Sequence, residues 1–346
     1  MKICEWYEAK IIDTSPKNPE LVAASARIER AQAIIAKIKA SIGSAILGQT
    51  NVVDLGLATL FAGGHALLIG MPGLAKTKLV EAIAISCGMD WRRIQFTPDL
   101  MPTDILGSEV LDSDKAGSRS FRFIKGPIFS QILMADEINR ASPRTQSALL
   151  QAMQENHVSI NGINYDLPKP FHVLATQNPI EHEGAYPLPE AQLDRFLLQI
   201  DVPYPDEDTE REILLKTTTN EALTAAQGAT PAEVQELQTL VRDLPISERF
   251  LEVVLGLVRE LRPETTSIAN VKKSVIWGPG PRGGQSIIMA AKARALIKGK
   301  LSPTIDDIGF VSLSALQHRM ALNWNASENG INCGKLIGEA LDKLQA

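Results

Sequence analysis

Lys76, Thr77, Asp136, Glu137, Asn178, Arg195 and Arg282 are the side chains whose types and spacing suit chemistry on a phosphoanhydride. Residues 69–77 read IGMPGLAKT, after an apolar run, His65 to Ile69, and before a helix-like pattern, Lys78 to Ser86. Strand, glycine-containing loop, Lys-Thr and helix is the order of a phosphate-binding loop. Gly70, Pro72, Gly73, Leu74, Ala75 and Lys78 belong to a backbone cradle for a triphosphate, and the following helix adds its positive dipole end. Lys76 is placed to neutralise β- and γ-phosphate charge, and the Thr77 hydroxyl to ligate Mg²⁺. The residue before the lysine is alanine where such loops carry glycine, so Ala75 is expected in the right-handed region that opens the helix.

Asp136 and Glu137 end the short apolar strand Ile132 to Ala135. A carboxylate there can hold Mg²⁺ directly or through water, and its neighbour can act as general base on the attacking water. Asp136 is assigned to the metal and Glu137 to catalysis. The blander alternative is a common strand-end acidic pair. Asn178 ends the next apolar strand, where its amide can hold that water; otherwise it is the turn former before Pro179. Arg195, in Leu193-Asp-Arg-Phe196, suits a finger supplied to a neighbour's γ-phosphate, against a surface Asp–Arg pair of little worth. Arg282, in Gly278-Pro-Gly-Pro-Arg282, opens a later helix, where an arginine is unfavourable against the dipole unless phosphate faces it. It is expected on the same nucleotide as Lys76. His65, His172 and His318 read as packing or surface residues.

The elements that must position these groups alternate strand and helix up to about residue 205. Apolar residues recur at helical spacing from Glu20 to about Ser44, and a second helix runs Val52 to Ala62. Strands are expected at 65–69, 90–95, 132–135, 171–175 and 196–200. Hairpins are expected over 110–124, turning at 113–117, and over 157–166, turning at Asn161-Gly162. Ser142 should cap a helix with Pro143 at its first position. After Pro205 only helices are expected, near 207–217, 231–243, 247–262, 285–298, 305–322 and 334–345. The fold class is α/β, a parallel-sheet αβα core followed by an all-helical domain. The divisions are an extension over 1–20, the core over 21–205 and the helical part over 206–346.

The 346 residues carry a formal net charge of −5. That balance disfavours a dedicated nucleic-acid binder. Cys4, Cys87 and Cys333 are too scattered for a disulfide framework or a zinc site. A reducing cytoplasm is therefore expected. No stretch approaches the roughly 20 apolar residues of a membrane span.

In family order, GMPGLAKTKLVEAIA, FTPDLMPTDILG, GPIFSQILMADEINRASPRTQSALLQAMQE, VLATQNPIEHEGAYPLPEAQLDRFLL and GPGPRGGQSIIMAAKARAL span roughly residues 45–320. This pattern resembles the MoxR-type AAA+ ATPases, whose loops typically have alanine at the position of Ala75. The resemblance implies a five-stranded parallel core with two hairpin insertions and a helical lid. It also implies ATP and Mg²⁺ as cofactors, with Lys76 and Thr77 as Walker A, Asp136 and Glu137 as Walker B, Asn178 as first sensor, Arg195 as trans-acting finger and Arg282 as second sensor. Leu47, Gly48 and Gln49 occupy the place where such proteins cradle adenine. Further implications are a homo-oligomeric, hexameric ring, a von Willebrand A-domain partner and a client protein matured by cofactor insertion or assembly. A DNA-acting motor and a nucleotide-gated chelatase-like or gas-vesicle subunit are the alternatives.

Overall fold

The computed structural model describes residues 19–113, 119–180, 186–218 and 223–345. The expected extension up to residue 18 and the tip of the first hairpin, 114–118, lie outside these residues.

The chain runs through an amphipathic helix, α1 (Pro19–Ala45), and an apolar one, α2 (Thr50–Phe61), to the first strand, β1 (Ala66–Ile69). The loop after β1 leads into α3 (Lys76–Ser86), then β2 (Trp91–Gln95) and the short α4 (Pro102–Leu106). A hairpin, β3 (Gly107–Ser113) with β4 (Arg119–Lys125), interrupts the main fold. Strand β5 (Ile132–Asp136) follows, then α5 (Pro143–Glu155). Ser142 accepts from the Thr145 N–H and Pro143 fills the first helical position, as expected. A second hairpin, β6 (His157–Ile160) with β7 (Ile163–Asp166), turns at Asn161 and Gly162, both at positive φ. This is the left-handed pair a two-residue hairpin turn requires. Strand β8 (His172–Gln177), the one-turn α6 (Glu190–Leu193) and β9 (Leu198–Asp201) complete this half.

The sheet order is β2-β5-β8-β1-β9, all parallel. Alternate residues pack to opposite faces, the mark of a sheet buried on both sides. Ala66, Leu68, Ile132 and Met134 join the core shared with α1, α2 and α3. Leu67, Leu133 and Ala135 join the core over α5, with Leu149, Leu150 and Met153.

Beyond β9 come α7 (Glu207–Thr217), α8 (Pro231–Asp243), α9 (Glu248–Glu260) and α10 (Ala269–Ser274). The purely helical expectation then needs correction. Strand β10 (Val275–Trp277) precedes α11 (Pro281–Ile297) and α12 (Ile305–Leu316). The chain leaves α12 at Leu316, makes a 3₁₀ turn over Gln317–Arg319, and pairs β11 (Ala321–Leu322) antiparallel with β10. The helix expected over 305–322 is therefore shorter. Strands this brief have no period to detect, and their pairing joins distant residues. Helices α13 (Trp324–Glu328) and α14 (Cys333–Gln345) close the chain. Cys87 is fully buried in the core. Among the described residues no helix is long and apolar enough to cross a membrane.

His172 and His318 are buried, His65 is half-buried, and all three are neutral packing groups. His172 donates from Nδ1 to the Gly64 carbonyl (2.7 Å) and accepts from Gln238 at Nε2 (3.0 Å). His65 accepts the Val173 N–H (2.9 Å). Burial pushes His65 down to about 3, His172 to about 4 and His318 to about 3. The unfolded chain therefore binds protons below about pH 6.5 that the folded one refuses. These groups leave stability untouched above that pH and erode it as pH falls towards 4. The slope is at most about 1.4 kcal/mol per histidine per pH unit. The melting temperature should fall steeply from pH 6.5 to 5, and His172→Gln should flatten that fall.

Candidate active site

At the carboxyl ends of β1, β5 and β8 the backbone opens a 420 Å³ cleft. It is lined by Pro72, Gly73, Leu74, Ala75, Lys76, Thr77, Lys78, Asp136, Glu137, Thr176 and Asn178. The structure thus brings together the loop, both carboxylates and Asn178 from three separate strand ends.

The loop corrects one expectation. Ala75 is left-handed, φ 55° and ψ 23°, not right-handed. Gly73 is also at positive φ, 84°. Successive turns of opposite hand aim N–H groups into one concavity, which makes an anion nest. For an alanine that conformation costs roughly 1–2 kcal/mol. Ala75 sits at the N-cap of α3 and makes no side-chain cap, so no side chain at the cap competes with an anion for the helix's leading N–H groups. Lys76 Nζ donates to the carbonyls of Gly70 and, at 2.9 Å, Met71. Desolvation lowers its pKa, opposed by Asp136 and Glu137.

Asp136 is 8% exposed and held on both oxygens. Arg93 of β2 donates to Oδ2 through Nε (3.0 Å) and Nη2 (2.5 Å), while the Thr176 hydroxyl donates to Oδ1 (2.5 Å). The same hydroxyl accepts the Glu137 N–H at 2.9 Å, so Thr176 fixes both acidic residues at once. Glu137 is itself left-handed, φ 56°. Its Oε2 accepts from Gln95 (2.6 Å) and Arg140 (2.9 Å). The Asn178 side chain accepts the Ile180 N–H (3.2 Å), so the turn-forming reading holds alongside its place in the cleft. Arg93, Gln95, Arg140 and Thr176 are contacts the sequence reading missed. Arg93 and Gln95 alternate on a strand that ends beside Asp136, and that register was the available signal.

Two donors suited to Mg²⁺, the Thr77 hydroxyl and the Asp136 carboxylate, line this one cleft. Among the described residues no cluster of three or more His, Cys, Asp or Glu could hold a metal by protein ligands alone. Magnesium needs no such cage, because phosphate and water complete its octahedron. The donor set therefore fits that ion.

Leu47, Gly48 and Gln49 do not line the cleft. They form the bend between α1 and α2, where Gly48 and Gln49 are at φ 63° and 51°. The Gln49 side-chain oxygen is buried without a hydrogen-bond partner.

Arg282 departs furthest from its expected place. It pairs with Asp194 at 3.3 Å and, with Arg195, lines a separate 310 Å³ cavity that includes Gly63, Gly64 and His65. Those three residues precede β1, whereas the phosphate loop follows it. From Gly64 to Gly70 an extended chain covers about 20 Å. Arg195 likewise precedes β9, which runs parallel to β1 with Ala66 opposite Leu198. Both arginines thus sit at the amino ends of the strands and the phosphate loop at the carboxyl ends. Arg282 therefore does not line the cleft that holds Lys76 of its own chain. Arg195 Nη1 donates to the Leu150 carbonyl (2.8 Å). A 610 Å³ cavity is also on this side, lined by Trp277, Glu190 and Arg282 among others.

A parallel sheet with a phosphate loop, a strand-end Asp-Glu pair and a helical second half defines an ATPase of the AAA+ class. Residues 65–198 match the "ATPase family associated with various cellular activities (AAA)", and residues 268–337 match the "AAA lid domain". The chain belongs to the MoxR family of these ATPases. It is 41% identical over 300 residues to Chaperone MoxR1 of Mycobacterium tuberculosis, covering 86% of this chain and 78% of that protein. It is 30% identical to Protein MoxR of Methylorubrum extorquens, covering 83% and 87%. A solved structure from Cytophaga hutchinsonii, named only as a candidate ATPase, superposes with TM-score 0.86 at 35% identity, covering 94% and 98%.

Proposed function

We propose that this chain hydrolyses ATP at a composite site shared by neighbours in a homo-oligomeric, hexameric ring, and uses the cycle for chaperone-like maturation of a client protein. The carrying observation is the separation of the two arginines from the phosphate loop, at opposite ends of the same strands. A guanidinium there has no phosphate of its own chain within reach, whereas the cleft of an adjacent copy can face it. Lys76 and the loop N–H groups bind the triphosphate. Glu137 takes the proton from the attacking water, and Asn178 holds that water. Thr77 and Asp136 would hold magnesium, which would supply charge neutralisation at the phosphates. Arg93 and Thr176 occupy the Asp136 oxygens, so Asp136 would hold the ion through water or at an oxygen that Arg93 gives up. Leu47, Gly48 and Gln49 remain the proposed adenine contacts. Residues 21–205 act as the nucleotide-binding core and 206–346 as the lid, after an extension over 1–20.

The name of the M. tuberculosis relative supports the chaperone reading. A von Willebrand A-domain partner and cytoplasmic work belong to the same proposal. Sedimentation of Glu137→Gln with ATP and Mg²⁺ tests the ring. It should give a species near a sixfold multiple of the 37.6 kDa chain, and Lys76→Ala should not. A Glu137→Gln protein that stays monomeric at all concentrations would overturn the shared site.

A further inference from the structure

Asp194 precedes Arg195, and its two carboxylate oxygens face different arginines. Oδ1 accepts from Arg319 Nε at 2.7 Å, and Oδ2 accepts from Arg282 Nη1 at 3.3 Å. Arg319 is 3% exposed, so its charge lies inside the protein. Its remaining donors go to backbone: the carbonyls of Asp194 (3.0 Å), Phe196 (2.7 Å) and Leu197 (3.2 Å), and that of Ala315. A buried guanidinium with all its contacts but the Ala315 carbonyl on one segment is a rigid fork. It bolts the end of α12 to the residues that bracket Arg195. Asp194 is the only group in this set with an oxygen left for Arg282, which stands on α11.

Without a carboxylate between them, the guanidinium groups of Arg282 and Arg319 would repel; burial is the main cause that lowers the Arg319 pKa, and Arg282 adds to it. Arg282 is half exposed, so nothing else described fixes its position as firmly. We propose that Asp194 is a positioning residue: anchored by Arg319, it holds Arg282 beside Arg195, so that finger segment and lid present two guanidinium groups to a neighbour's triphosphate as one unit. The inference rests on the shared-site reading above. It gives the lid a part in hydrolysis on the adjacent subunit, because any movement of α11 against α12 would pull Arg282 away from Arg195.

Asp194→Asn is the discriminating change. Its amide oxygen still accepts from Arg319, whereas its NH₂ faces Arg282 and can only donate. ATP affinity at the variant's own phosphate loop should stay within about twofold, while kcat falls at least about tenfold. The double variant Asp194→Asn/Arg282→Ala should be no slower than Arg282→Ala alone, since both changes remove one interaction. Mixing Asp194→Asn with Lys76→Ala subunits should restore turnover, because the Lys76→Ala chain brings an intact two-arginine face to an intact phosphate loop. A subunit that is merely misfolded would not be rescued. Asp194→Glu, which keeps the charge on a longer arm, carries the same mixing test should the asparagine variant unfold.

Full turnover by Asp194→Asn, or losses that multiply in the double variant, overturn the positioning role. Failure to rescue overturns it as well, provided an Arg195→Ala/Lys76→Ala mixture is rescued. If Arg195→Ala and Arg282→Ala both turn over normally, the shared-site reading itself fails instead.

Discussion

Glu137→Gln is expected to bind ATP as tightly as the parent chain and to hydrolyse it roughly 10²–10⁴-fold more slowly. Glu137 stands at the mouth of the cleft with its carboxylate held by Gln95 and Arg140, and its backbone locked by Thr176. Glutamine preserves size and can still accept from both partners, but it cannot take a proton from water. Loss should therefore fall on kcat and leave the dissociation constant for ATP alone. Lys76→Ala removes the positive group beside the loop and should abolish nucleotide binding, so the two variants separate binding from chemistry. A fluorescent ATP analogue gives the first quantity and phosphate release the second. Turnover near the parent rate in Glu137→Gln would remove the general-base assignment.

Arg195→Ala should lose about 10³–10⁵-fold in turnover, the range for an arginine that stabilises transition-state charge in phosphoryl transfer. Its own cleft is untouched, so ATP binding should persist. The strong part of this expectation is complementation. Arg195→Ala subunits keep a working phosphate loop, and Lys76→Ala subunits keep a working arginine. Mixed together, they build some interfaces that have both. Activity that rises on mixing, from two inactive preparations, follows from the opposite-end geometry and from no cis arrangement. Steady-state turnover across mixing ratios measures it, with sedimentation to establish that mixed rings have formed. Absence of activity in proven mixed rings would return Arg195 to a structural role, its bond to the Leu150 carbonyl.

Much of the cleft was readable because its parts are local. A glycine-containing loop between an apolar strand and a helix, an acidic pair at a strand end, Ser142-Pro143 before α5, and Asn161-Gly162 between short strands each depend on a few adjacent residues. Their backbone geometry follows from steric preference and nearby hydrogen bonds. Even there, spacing could not report a dihedral angle. Ala75 was expected right-handed and is left-handed, because the inward turn of the loop's N–H groups overrides an alanine's own preference.

The partners of the reactive groups were not readable. Arg93 meets Asp136 across 43 positions, Thr176 meets it across 40, and Arg319 meets Asp194 across 125. The pairing of β10 with β11 escaped for the same reason, compounded by their length.

The chain's order of residue types settled that a phosphate loop, a carboxylate pair, an asparagine and two arginines exist, and which strand or helix carries each. Folding settled which of them line one cleft. Sheet order and parallel direction put the loop at the carboxyl ends and both arginines at the amino ends. The packing of α11 and α12 against the segment before β9 then brought Arg282 to Asp194. No local pattern encodes on which side of a sheet a distant helix docks, because that outcome is a sum of burial over the whole core.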